Sequence, residues 1–263
     1  MIRAMWTAAT GMSAQQMLID VMANNLANVN TTSFKKSRAE FEDLMYTTYK
    51  EQGSQTAAGG YVPVGIEVGM GTGPVAVSKI FTQGDYVQTK NKLDLAIEGD
   101  GFFKIIAADQ DNQEVYTREG SFKLDKDGYI VNSRGDRLQP EFSVPSNTTN
   151  IVIAKNGDIT CLDSSDTVLA TGSISIYTFT NPAGLKAIGE NYYIATDASG
   201  DAVEGVPGTD NFGTIAQGYI EMSNVDAVEE MINMIAGQRA YEINSKAIKT
   251  ADSMLQVANN LVR

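Results

Sequence analysis

The chain has 263 residues, 43% hydrophobic and 20% charged, which is enough to bury a core without disulfides or metals. It has no histidine and one cysteine, Cys161, which excludes histidine triads, histidine–metal sites, cysteine-rich metal sites and intramolecular disulfides. Lys and Arg number 20 against 32 Asp and Glu, and the resulting charge of −12 makes bulk electrostatic binding to nucleic acid or an anionic membrane unfavourable.

Charge and turn residues divide the chain in the same way. Residues 1–40 carry +2 and residues 221–263 carry −2, so the ends cancel and residues 41–220 hold the whole −12. All six prolines lie between Pro63 and Pro207, and of 24 glycines only Gly11 and Gly237 fall outside 53–218. Turn punctuation confined to the middle predicts helix, then turn-rich strand, then helix. The expected class is α+β: a discontinuous helical coiled-coil domain from 1–45 and 221–263, a connecting arm over 46–70, and a central antiparallel all-β domain over 71–220.

In residues 1–28, Ile2, Met5, Ala9, Met12, Gln16, Ile19, Ala23 and Leu26 follow steps of three and four, a heptad seam with one polar member. The poor helix formers of Asn28-Val29-Asn30-Thr31-Thr32-Ser33 should end this helix. Within 46–66, Gln, Gly, Ser, Thr and Ala dominate Gln52–Gly60, which reads either as a surface loop or as an extended arm that orders on a partner.

Short apolar runs then alternate with turns. Strands are expected near Leu93–Ile97, Phe102–Ile106, Tyr129–Val131, Ile151–Ile153, Ile174–Phe179 and Tyr192–Ala195. Asp127-Gly128, Asn156-Gly157 and Ser199-Gly200 suit tight hairpins, in a barrel or a sandwich.

The last segment opens on Ser223-Asn224-Val225-Asp226, a capping-box pattern, with Glu229 and Glu230 placed for the helix dipole. Val228, Ile232 and Ile235 give an apolar start. A strict seam then runs through Ala240, Ile243, Ala247, Thr250, Met254, Val257 and Leu261, with a phase shift at Gly237-Gln238-Arg239. Both seams read either as packing within the chain or as pairing with each other and with further copies. Gln15, Asn24, Asn25, Asn28, Gln256, Asn259 and Asn260 give the helices a polar, uncharged face, suited to open solvent or a water-filled lumen. No run approaches 18 apolar residues, so no membrane span is expected, nor a cleavable signal peptide.

Chemical motifs are sparse. Gly69-Met70-Gly71-Thr72-Gly73 precedes a strand-like run where a phosphate loop needs a helix. Asp125-Lys126-Asp127-Gly128 lacks the remaining ligands of a calcium loop. Asp94, Glu98 and Asp100 flank a strand as solvated acids would, and Cys161 reads as a small core residue. No catalytic site, cofactor site or metal site is expected.

Three stretches carry a family likeness. Ala23-Asn24-Asn25-Leu26-Ala27-Asn28-Val29-Asn30-Thr31-Thr32-Ser33-Phe34-Lys35 resembles the N-terminal signature of bacterial flagellar rod and hook proteins. Ser223–Asp226 through Gln238-Arg239-Ala240-Tyr241-Glu242 resembles their C-terminal signature, and Ala96-Ile97-Glu98-Gly99-Asp100-Gly101-Phe102-Phe103 a third family stretch. Length and the opening Met1–Met12 are most similar to the distal rod members. Hook proteins look longer, proximal rod proteins shorter, and a secreted enzyme or adhesin with a helical stalk is the alternative from another class. Ser33 stands where the family usually has glycine, so the turn there either avoids positive φ or tolerates it with strain.

The resemblance implies a structural polymer: a hollow helical shaft in the flagellar basal body, crossing the periplasm, with terminal helices inside and β domains outside. Implied partners are further copies of the chain, proximal rod proteins, hook or hook–rod junction proteins, ring bushing proteins and the type III export apparatus. Export without a cleaved signal is likewise implied, with no nucleic acid, membrane insertion or cofactor.

Overall fold

A computed structural model describes residues 2–53, 61, 63–107, 113–209 and 211–261, with only the backbone for Leu261. The chain divides into two compact units, one of residues 1–27, 37–79 and 226–263, the other of 28–36 and 80–225. Residues 71–79, expected in the β domain, therefore group with the helices. Residues 28–36 and 221–225, expected with the helices, group with the β unit.

The first unit contains α1 (Ile2–Ala27), β1 (Ser37–Asp43), β2 (Tyr46–Lys50), β3 (Ile66–Gly69), β4 (Thr72–Lys79) and α2 (Ala227–Leu261). Gly11 lies against Asn244, and Gly237 against Gln15, Leu18 and Ile19, so the helices pair antiparallel. Glycine at both crossings lets the backbones approach: a Cβ on Gly11 would come within 3.0 Å of Asn244 Nδ2. α2 is capped by Asp226, whose Oδ1 accepts from the backbone N–H groups of Val228 and Glu229. The expected box opening at Ser223 is displaced by three residues. The Ser223 hydroxyl instead accepts from Val225 N–H, ahead of the helix.

β1 and β4 pair antiparallel from Ser37↔Lys79 to Asp43↔Thr72, with a bulge at Glu40/Phe41, and both pack on α1. At the start of β4 the Thr10 hydroxyl of α1 comes so near that a Cβ on Gly71 would lie 2.1 Å from it, and Gly71 has φ +119°. Only glycine fits that approach. β2 and β3 form a second antiparallel ribbon inside the expected arm. Arg3 of α1 donates to Tyr49 Oη and Thr47 Oγ1 of this ribbon. Most of Gln52–Gly60, namely residues 54–60, lies outside the described residues.

The second unit contains β5 (Tyr86–Gln88), β6 (Leu95–Glu98), β7 (Phe103–Ala107), β8 (Gln113–Thr117), β9 (Lys123–Leu124), β10 (Ile130–Val131), β11 (Arg137–Gln139), β12 (Asn150–Ile153) and β13 (Asp158–Leu162). It continues with β14 (Val168–Ser173), β15 (Ile176–Thr178), β16 (Lys186–Gly189), β17 (Tyr192–Ile194), β18 (Val203–Gly205), β19 (Thr214–Gln217) and β20 (Tyr219–Glu221). Seven strands form one antiparallel ladder, β16-β17-β8-β7-β11-β10-β9. It ends at β16 and β9, so it is an open sheet rather than a barrel. β12-β13-β14 make a three-stranded sheet, and β15-β18, β19-β6 and β20-β5 pair in twos.

Both faces of the long sheet are covered. Neighbouring residues point to opposite faces, so Phe103, Val115 and Tyr192 join the larger apolar cluster while Phe102, Tyr116 and Tyr193 join an aromatic one. Phe102 meets Phe81, Phe179 and Tyr193 edge to face at centroid distances of 5.5–5.9 Å.

Among the described residues, four hairpins share one turn, in which the fourth residue's N–H donates back to the first residue's carbonyl and the first residue's N–H donates to the carbonyl of the fifth. These are 125–129, 132–136, 154–158 and 163–167. Gly128, Gly135 and Gly157 take the left-handed position in three of them, and Asp166 takes it in the fourth at φ 57°. Ser199-Gly200 makes no hairpin. It lies between β17 and β18, which do not pair.

Candidate assembly surface

The helix pair buries one stripe of each helix and leaves another open. On α2 the inward positions are Glu230, Gly237, Asn244 and Ala251, seven apart, and on α1 they include Ala8, Gly11, Gln15 and Leu18. The seams expected from sequence lie one position away on both helices. Ile2 is 75% exposed, Ile243 66%, Val257 59% and Met254 54%. Ala9, Ala23, Ala247 and Thr250 are exposed, while Met5, Met12, Leu26 and Ala240 are half-buried. Ile19, also half-buried, packs on Gly237, and Leu261 ends α2. Trp6, Val228, Ile232 and Ile235 extend the uncovered apolar surface.

The neutral amide face breaks up. Gln15 lies against Gly237 between the helices. Asn25 is buried and exchanges two hydrogen bonds of 2.9 Å with Ser37, donating from Nδ2 to the carbonyl and accepting at Oδ1 from the N–H. A side chain with one donor and one acceptor end satisfies a strand-start backbone in full, so its burial costs little. Asn24, Gln256, Asn259 and Asn260 remain exposed, and Asn28 is half-buried.

The β unit holds a buried ion cluster that the sequence did not announce. Lys35 Nζ donates to Glu221 Oε1 at 2.6 Å and to the Thr82 carbonyl at 2.8 Å. Arg118 Nε donates to Glu221 Oε2 at 3.0 Å, and another of its nitrogens to the Gly99 carbonyl. Gly84 N–H completes the carboxylate's shell. The side chains of Lys35, Glu221 and Arg118 are 0%, 1% and 2% exposed. Burial and the Arg118 charge hold the Lys35 ammonium down at about 8, against the pull of Glu221. Removing Glu221 would leave two buried cations unanswered, and breaking a buried cluster in that way typically costs about 3–5 kcal/mol.

Ser33, two residues earlier, takes φ 57°, so of the two alternatives for this turn it is the strained one. Its N–H donates to the Glu221 carbonyl at 2.9 Å and its hydroxyl to the Arg118 carbonyl at 2.8 Å.

The carboxylates flanking β6 take separate partners. Asp94 accepts from Asn91, and Glu98 takes a hydrogen bond from Thr214. Among the described residues, no group of three or more His, Cys, Asp or Glu could hold a metal, and no helix is long and apolar enough to cross a membrane. Gly69–Gly73 turns from β3 into β4, with strand on both sides. Cys161 is buried in the larger apolar cluster, where burial pushes its thiol up.

A helix pair with an uncovered apolar stripe, carried by the same chain as a β unit with its own core, is the build of a structural subunit whose chemistry lies in its surfaces. Three family models match: one described as flagella basal body rod protein at 5–35, one as flagellar hook protein FlgE/F/G D1 domain at 96–161, and one as flagellar basal body rod FlgEFG protein C-terminal at 216–261. The flagellar basal-body rod protein FlgG of Borreliella burgdorferi is 48% identical over all of both chains. That of Caulobacter vibrioides is 44% identical over 99% of each, and that of Bacillus subtilis 35% over all of both. The chain belongs to the FlgG family of flagellar basal-body rod proteins, and it is a structural subunit of the flagellar rod.

Proposed function

We propose that the chain polymerises into the distal rod, a hollow helical drive shaft that carries motor torque across the periplasm to the hook. The observation that carries this reading is the uncovered apolar stripe of the helix pair, with Ile243, Met254 and Val257 on α2 and Ile2 on α1. Side chains of this size leave water only by meeting another surface, at roughly 1.5–3 kcal/mol for each one fully buried. A contact between unlike faces that does not close on itself gives an open filament. The seam residues Met5, Ala9, Met12, Ile19, Ala23, Leu26, Ala240, Ala247 and Leu261 line or flank the same stripe in this proposal. Terminal helices form the inside of the shaft and β units its outside. Proximal rod proteins, hook or hook–rod junction proteins and ring bushings are its neighbours, and type III export without a cleaved signal delivers it.

Ala23→Asp and Ile243→Asp test the stripe. Each carboxylate would be buried only in the polymer, where an unpaired charge costs several kcal/mol at every contact. Both variants should be secreted and keep a folded β unit, yet build no rod, leaving cells hookless and non-motile. Asn24→Asp, at an exposed position, should be milder. Electron microscopy of basal bodies, counted beside secreted protein, reads the outcome. Normal basal bodies from both seam variants would show the stripe is not the assembly surface.

A further inference from the structure

Residues 28–36 join the β unit mainly through polar groups. Ser33 N–H and hydroxyl reach the Glu221 and Arg118 carbonyls, and Lys35 reaches Glu221 and the Thr82 carbonyl. Lys36 N–H donates to Asn224 Oδ1 at 2.7 Å, Ile80 N–H to the Lys36 carbonyl at 2.9 Å, and Asn191 Nδ2 to the Thr32 carbonyl at 3.0 Å. Neither apolar cluster of the unit includes a described side chain from 28–36, and Phe34 is buried outside both. The segment thus lies on a core that does not depend on it.

Two terms oppose its docking. One is the left-handed backbone of Ser33. The other is charge, since two buried cations face one carboxylate. Tyr86 and Tyr193, the other titratable groups that feel this cluster, have their ionisation raised by burial and stay neutral. The closed cluster therefore carries an excess positive charge. Without Lys35, Glu221 would keep Arg118 Nε and Gly84 N–H, a neutral and hydrogen-bonded remainder.

We propose that residues 28–36 form a strap with two states, closed as seen here and released as a block, that release leaves the β core folded, and that the charge on Lys35 biases the strap toward release. Segments with few apolar contacts to the core, as here, open below the global unfolding free energy. The proposal stands apart from how the chain assembles, so failure of the seam variants would leave it intact.

Native-state hydrogen exchange on the full chain tests it. The amides of Ser33, Lys36 and Ile80 should share one opening equilibrium, at least roughly tenfold more populated than that of the Ile105 and Val115 amides in β7 and β8. Closing the strap favours loss of the Lys35 proton, so raising the pH from 7 to 9 should reduce strap opening about tenfold after correction for intrinsic rates. Lys35→Met should abolish that pH dependence. If this variant does not fold, the wild-type pH series decides alone. Strap amides that open only together with β7 and β8 would overturn the proposal, as would strap opening indifferent to pH over this range.

Discussion

Asp166 and Ser33 occupy the same left-handed backbone region in different settings. Asp166 is exposed at a hairpin tip where three equivalent turns use glycine. Its Cβ gains nothing there, so Asp166→Gly should raise stability by about 0.5–1 kcal/mol, read as a higher urea midpoint of the β unit at unchanged slope. The same replacement at Ser33 should give no such gain. It would delete the hydroxyl that answers the Arg118 carbonyl, and an unpaired buried acceptor costs about 1–3 kcal/mol. An unchanged or lower midpoint for Asp166→Gly would mean its side chain compensates the backbone cost.

At the level of elements, periodicity revealed the helices and most strands but not the phase of their packing. Ala9, Met12, Ile19 and Ala23 fit a heptad, and so do Ala8, Gly11, Gln15 and Leu18, one position back. A helix with apolar or small residues on two adjacent stripes carries two seams, and spacing alone does not say which one the chain itself covers. Gln15 reads as part of a polar face, yet it lies against Gly237 at a crossing where Gly11 and Gly237 supply the small size that close approach needs. The strap was legible as a family signature but not as a burial site, because a lysine reads as exposed until its carboxylate is found far away in sequence. The run after Gly73 reads as strand and is β4, whereas its partner β1 is hidden because a bulge breaks the alternation between Glu40 and Phe41. The segment between β2 and β3 is distinct in composition, and its role is open to a direct test. Deleting Gln52–Gly60 should leave the melting temperature of the β unit nearly unchanged, since no residue of β2 or β3 belongs to its apolar clusters. It should make assembled polymers more flexible, measured as a shorter persistence length in electron micrographs. A large fall in that melting temperature would place the segment in the core instead.

For the whole molecule, burial of Lys35 and of several tyrosines gives stability an unusual pH profile. The folded chain gives up the Lys35 proton near pH 8, below the ordinary 10.5. Across that window the unfolded chain holds more protons, so stability climbs with pH, by at most about 1.4 kcal/mol per unit. Tyrosines act in the opposite sense. Burial pushes Tyr86 up to about 12, and Tyr192 and Tyr193 higher still, so above pH 10 the unfolded chain ionises first and stability falls. Urea unfolding from pH 7 to 11 should show a maximum near about pH 10, and a steady decline from pH 7 would contradict the burial of Lys35. The cluster also has a consequence in time. Lys35 and Glu221 are 186 positions apart, so a chain emerging N-terminal end first must present every residue between them before the two can meet. Every contact of 28–36 with Glu221 and Asn224 shares that wait, whereas β7 and β8 are near neighbours in sequence, from Ala107 to Gln113, and can pair at once. Contacts of such long range are entropically slow to close. The segment next to α1 is thus among the last parts of the β unit to find its place, although it emerges ahead of the rest of that unit.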